Sequence, residues 1–66
     1  MIEVRYIIFE GDEPTEAFNA EVSSQEEAIN DLGGILSDSV DTVTRVDVYI
    51  SNEDFEMVTF LDSISR

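Results

Sequence analysis

Carboxylates supply nearly all the chemistry this chain could perform. Sixteen Asp and Glu residues stand against three arginines, for a formal net charge of −13, and lysine, histidine and cysteine are absent. Without histidine the commonest general base and metal ligand is missing. Without cysteine there is no thiolate zinc site and no disulfide framework. Paired carboxylates can hydrolyse a glycosidic bond, but only across a cleft that holds a sugar between them. A chain of 66 residues has one modest core and little room for such a cleft. Clustered acids can also hold Ca²⁺ or Mg²⁺. Glu10-Gly11-Asp12-Glu13, Asp38-Ser39-Val40-Asp41 and Ser51-Asn52-Glu53-Asp54 carry the ligand types. None has the alternating ligands, central glycine and closing glutamate of the standard calcium loop. Gly33-Gly34 ends a helical pattern instead of opening one, which excludes a glycine-rich phosphate loop. These absences predict no enzyme, no bound metal and no cofactor.

The charge excess is the positive signal. Disorder does not explain it, because 42% of the residues are hydrophobic and fall in periodic runs, unlike a disordered chain. Solubility asks for a net charge of only about 2 to 8 in a small domain. Glu27 and Asp31 lie one helical turn apart with no base to offset them, an arrangement that costs stability. Such a surface disfavours DNA, RNA and anionic membranes as direct ligands, since these need Lys and Arg. It favours a basic partner or a very salty environment. Seven isoleucines and only three alanines fit the salt-adapted alternative less well. No apolar run approaches the roughly 20 residues that span a bilayer. No basic segment followed by a long apolar run opens the chain. A soluble protein of the host cytoplasm is expected.

The elements that would position these acids are legible in outline. Ile2 to Phe9 reads as a strand, with Ile2, Val4, Tyr6 and Ile8 on one face, and Glu10 to Pro14 as a turn. Thr15 to Val22 is a weaker strand, with Phe18, Ala20 and Val22 on one face. Ser23 and Ser24 offer overlapping capping boxes with Glu26 and Glu27. Ala28, Ile29, Leu32, Ile35 and Leu36 follow at helical spacing. Gly33-Gly34 predicts either a helix stop near Leu32 or, if the helix runs on to Leu36, a close approach to the sheet. Val43 to Ile50 alternates as a third strand, Ser51 to Asp54 is a polar turn, and Phe55 to Leu61 is a fourth strand, apolar on both faces.

The order is ββαββ in a single domain, residues 1–66. It predicts an α+β fold: a four-stranded antiparallel sheet with one helix packed on one face. The expected inner set is Ile2, Val4, Tyr6, Ile8, Phe18, Ala20, Val22, Val46, Val48 and Ile50, closed by Ala28, Ile29 and Leu32. Ile7, Phe9, Tyr49 and one face of the fourth strand then look outward, with Met57 and Phe60 as candidates to complete the core. Exposed apolar residues on a small domain mark interfaces, so a homodimer or partner contact through the open face or an edge strand is expected.

Carboxylates one helical turn apart, or at alternate strand positions, lie about 5–7 Å apart. Phosphates along one DNA strand advance about 3.4 Å of axis per charge, a spacing of the same order. An acidic folded surface can therefore occupy a DNA-binding groove. In size, charge excess, lack of Cys and His, and α+β pattern, the whole chain resembles the small acidic DNA-mimic inhibitors that phages encode. These include uracil-DNA glycosylase inhibitors, anti-restriction proteins and some anti-CRISPR proteins, which share no motif. The resemblance implies a binding inhibitor that blocks the basic nucleic-acid-binding surface of a host DNA-processing or defence enzyme, with no nucleic acid bound directly. The acids expected to face that partner are Asp12, Glu13, Asp38, Asp41, Asp47, Glu53, Asp54 and Glu56, with Tyr49 and Phe55 as aromatic anchors. By the same resemblance, Phe9, Tyr49, Phe55 and Phe60 would build an apolar pocket beside the acids.

Overall fold

The computed structural model describes residues 1–51 and 57–66. Five elements appear: β1 (Ile2–Glu10), β2 (Glu13–Val22), α1 (Gln25–Asp38), β3 (Arg45–Ser51) and β4 (Met57–Ser65). They form the expected α+β fold, one antiparallel sheet in the order β2-β1-β3-β4 with the helix on one face. Both β2 and β3 run antiparallel to β1, so they are parallel to each other and α1 joins them as a crossover.

Alternation builds the sheet. Val4, Tyr6 and Ile8 of β1 are buried on the helix side, between Val46 and Val48 of β3 and Val22 of β2. The first hairpin closes on Gly11, whose φ of +65° suits glycine. Near that turn Ile8 pairs with Glu16 and Phe9 with Pro14, leaving Thr15 as a bulge. Pro14 is tolerated there because β2 is an edge strand. A second bulge falls in β4, where Val48 pairs with Asp62 and Tyr49 with Phe60. The extra residue, Leu61, packs on the core, and Phe60 turns to the open face, 52% exposed.

Ser24 is the N-cap, and its hydroxyl accepts from Glu27 N–H at 3.1 Å. The Glu27 carboxylate reaches back to the Ser23 N–H (3.0 Å) and hydroxyl, one residue before the cap. The helix then runs through Gly33-Gly34 to Asp38, past both the expected stop at Leu32 and the alternative at Leu36. Two glycines cost roughly 1 kcal/mol each relative to alanine. The extra turn buries Leu36, which returns about 1.5–3 kcal/mol. It also brings the last carbonyls to Arg66, whose guanidinium donates to Leu36 O (2.8 Å), Ser39 O (3.2 Å), Val40 O (3.4 Å) and Val43 O (2.8 Å). No tight approach explains the glycines: a Cβ at Gly33 would meet Ile64 at 4.0 Å, and one at Gly34 would meet nothing.

The core differs from expectation at its margins. Leu36 and Val43 join it, while Ile29 and Ile50 are half-buried. Phe18 faces the helix side but is 39% exposed. The helix lies against β3 and β4 more than against β2, so the β2 end of the inner face is only partly covered.

Candidate functional site: an acidic shell and an open sheet face

Nearly every described acid is exposed; the exceptions are Glu3, half-buried, and Asp47, buried. Two of the three arginines stand apart from this shell, and the third, Arg66, lies on the segment between Asp38 and Asp41 without an ion pair to either. Arg66 binds the carbonyls at the helix end, and Arg5 donates to Asn19 Oδ1 at 3.0 Å. Arg45 Nε meets Asp47 Oδ1 at 3.0 Å, and its guanidinium lies 3.9 Å from the centre of the Phe9 ring. Among the described residues no exposed acid has a cationic partner. No three of the described acids converge as metal ligands would; they stand as separate charges.

Four of the expected partner-facing acids gather at one end of the molecule. Gly11 N–H donates to Thr44 Oγ1 (3.0 Å) and Thr44 N–H to Phe9 O (2.9 Å), which ties the β1–β2 turn to the α1–β3 loop. Asp12 and Glu13 stand on the turn, Asp38 ends the helix, and Asp41 sits in the loop, closed by Val43 N–H donating to Val40 O at 3.0 Å. The negative end of the helix dipole is met here by the Arg66 guanidinium, which donates to Leu36 O, Ser39 O and Val40 O.

Asp47 is buried, unlike the other acids expected to face a partner that the structure describes. It lies on the open side of the sheet between Ile7 and Ser63 of the neighbouring strands, with its side chain only 8% exposed against 42% for Arg45. Neither Arg45 Nε nor Asp47 Oδ1 has a hydrogen-bond partner, so the pair is held by charge alone. Tyr49 does lie on the open face, half-buried and edge-on to Phe60, with ring centres 5.3 Å apart. Glu53, Asp54, Phe55 and Glu56 lie outside the described residues.

Of the four rings expected to build a pocket beside the acids, Phe55 lies outside the described residues, and Phe9, Tyr49 and Phe60 are described. Those three rings share the open face, away from the helix. An apolar groove beside acids exists on the other side, between α1 and β2, with a volume of about 370 Å³. Tyr6, Phe18, Ala20 and Ile35 line its apolar part, and Glu21, Glu27, Asp31 and Asp38 its acidic part. The Tyr6 and Phe18 rings are 5.1 Å apart. Glu27, Asp31 and Asp38 sit at i, i+4 and i+11, one ridge of the helix. That spacing was readable in the sequence; the tilt of the helix away from β2 was not.

Two groups on this side are shifted, for different reasons. Burial pushes the Tyr6 hydroxyl up, and Asp31 and Glu27 push it further. Hydrogen bonds from the Ser23 hydroxyl and N–H hold Glu27 below the usual carboxylate range. Among the described residues no helix is long and apolar enough to cross a membrane. Comparison with protein-family models, with curated proteins and with solved structures finds no match for this chain.

Proposed function

We propose that this protein is a DNA-mimic inhibitor: it binds the basic nucleic-acid-binding surface of a host DNA-processing or defence enzyme and blocks it. The observation that carries the reading is the division of charge. Among the described residues every acid but Glu3 and Asp47 is exposed, and none of those exposed acids has a cationic partner, while the arginines are engaged with carbonyls, Asn19, Phe9 and Asp47. Fixed carboxylates on a folded scaffold offer a basic groove the same sign and similar spacing as phosphates, without the cost of ordering a flexible chain. The contact surface is the end bearing Asp12, Glu13, Asp38 and Asp41, continued along the helix by Asp31 and Glu27. The groove behind that ridge accepts an apolar or long aliphatic side chain of the enzyme, with Phe18 and Ile35 as its walls.

The test is affinity capture from host lysate at low salt. The expected result is recovery of a nucleic-acid-binding enzyme that duplex DNA or added salt releases. Replacing Asp12, Glu13, Asp38 and Asp41 by their amides should weaken capture and flatten its salt dependence. Recovery of no nucleic-acid-binding protein, or capture indifferent to those four amides, overturns the proposal.

A further inference from the structure

The open face of the sheet departs from the rest of the surface in two ways. It is apolar at its centre, where Ile7, Phe9 and Tyr49 are half-buried with no layer above them and Phe60 stands half out of the sheet. It also holds two of the three arginines. Arg5 and Arg45 stand there with Asp47, Glu3 and Glu21, so this face is near neutral on a chain of net charge −13. An antiparallel sheet with one face in water ordinarily shows polar residues there.

We infer that this face is the interface of a homodimer, two copies stacked sheet to sheet with their helices and exposed acids outward. Three observations select a second copy as the occupant. Charge is the first: a copy can approach here without bringing acid shell against acid shell. Register is the second. Glu3 pairs with Glu21 at one end of the face, and Phe9 with Arg45 at the other, the guanidinium lying over the Phe9 ring. A two-fold axis in the interface, perpendicular to the strands, lays the Glu3 end of one copy over the Arg45 end of its mate, and both such contacts form at once. Area is the third. The broad side of the molecule measures 31 × 21 Å, and a standard interface takes about 800 Å² from each partner. A face of this size covered by its equal falls at the lower end of stable dimers. The stack joins two sheets about 10 Å apart, as in a sandwich.

This inference is independent of the inhibitory reading, and salt separates them. Two protomers of like net charge associate more tightly as salt screens their repulsion, whereas acid-to-base binding weakens. Sedimentation equilibrium of the full chain, at about 10 mM and about 1 M salt, where the screening length is roughly 30 and 3 Å, measures the mass directly. The expected result is a species of twice the 7.4 kDa protomer mass, favoured by salt. Phe60→Glu and Ser63→Glu each place a charge on the open face at exposed positions of the edge strand β4. Circular dichroism checks that both remain folded, and each should weaken dimerisation at least tenfold. A protomer mass at both salts up to about 100 µM, well above the Kd of most specific interfaces, overturns the inference. So does a dimer that both folded variants leave unchanged, which would place the contact on another surface.

Discussion

Removing either half of the Arg45–Asp47 pair should have unequal consequences. The two groups differ in their access to water: the Asp47 side chain is 8% exposed and that of Arg45 42%. Arg45→Met keeps much of the stem and deletes the charged group that lies over the Phe9 ring, leaving a carboxylate that water reaches poorly. Breaking a fully buried pair costs about 3–5 kcal/mol. Because Arg45 is partly solvated, water can partly replace it, and about 2–4 kcal/mol is the expected loss. Asp47→Asn keeps the shape and leaves a guanidinium that still has water and the Phe9 face, so about 0–1 kcal/mol is expected. At about 0.05–0.15 kcal/mol per residue, a domain of this length holds only some 3–10 kcal/mol in all. Arg45→Met should therefore lower the melting temperature by roughly 10–25 °C, and Asp47→Asn by less than about 8 °C. The double variant should melt above Arg45→Met alone, since the stranded charge is gone. Melts followed by circular dichroism, at one protein concentration and one salt, decide the matter. If Asp47→Asn costs as much as Arg45→Met, or the double variant shows no rescue, the carboxylate is not desolvated as described.

The glycine pair gives a prediction of opposite sign: Gly34→Ala adds a methyl to open space in mid-helix and should stabilise the fold by about 1 kcal/mol, or about 4–8 °C in melting temperature. Tyr6 sets an alkaline limit. Its folded pKa lies above the ordinary 10.0, so its contribution is whole below pH 10 and is lost as pH rises through the folded value. Absorbance at 295 nm should show one tyrosine titrating late, and Tyr6→Phe should remove that phase and soften the alkaline loss of stability. Salt should raise the melting temperature by screening the mutual repulsion of the acids. A cooperative melt should nonetheless be present already in dilute buffer; a chain that folds only in molar salt would instead fit a protein adapted to a saline cytoplasm.

Local chemistry was legible in the sequence, and long-range geometry was not. Val4, Tyr6 and Ile8 alternate, and the Ser24 cap lies where the capping-box pattern puts it. The helix outlasts Gly33-Gly34 because Leu36 is buried and Arg66, thirty positions on, binds its last carbonyls. No window around the glycines contains Arg66. Arg45 and Asp47 share a strand face by simple alternation. The burial of Asp47 depends on Ile7 and Ser63, which a hidden strand order and a hidden bulge bring alongside. Phe18 was read as core because its strand face was right. It is exposed because the helix leans toward β3 and β4, a choice made by packing and not by pattern. Asp12, Glu13, Asp38 and Asp41 come together for a related reason: the Gly11–Thr44 hydrogen bond joins residues that lie far apart in the chain.

The placement of the arginines ties these observations together. A chain with three bases and sixteen acids would lower its electrostatic self-energy most by setting each base among exposed acids. Only Arg66 stands among them, on the carbonyls between Leu36 and Val40, while Arg5 and Arg45 lie on the one broad face where the helix-borne and turn acids are not. The cost is unrelieved repulsion over the helix and turns. What results is two surfaces of different character on one small scaffold, one a nearly pure array of carboxylates and one apolar and near neutral. Repulsion disfavours contact between two carboxylate arrays, while stacking through the near-neutral face keeps the arrays apart and leaves only the weaker long-range repulsion that salt screens. An acidic partner is disfavoured by the first surface and gains nothing special from the second. The arrangement suits the two proposed partners, a basic macromolecule on the helix side and a copy of the same chain on the sheet side. Raising the salt must move the two associations in opposite directions, and a common direction would show that one of the two surfaces has been misread.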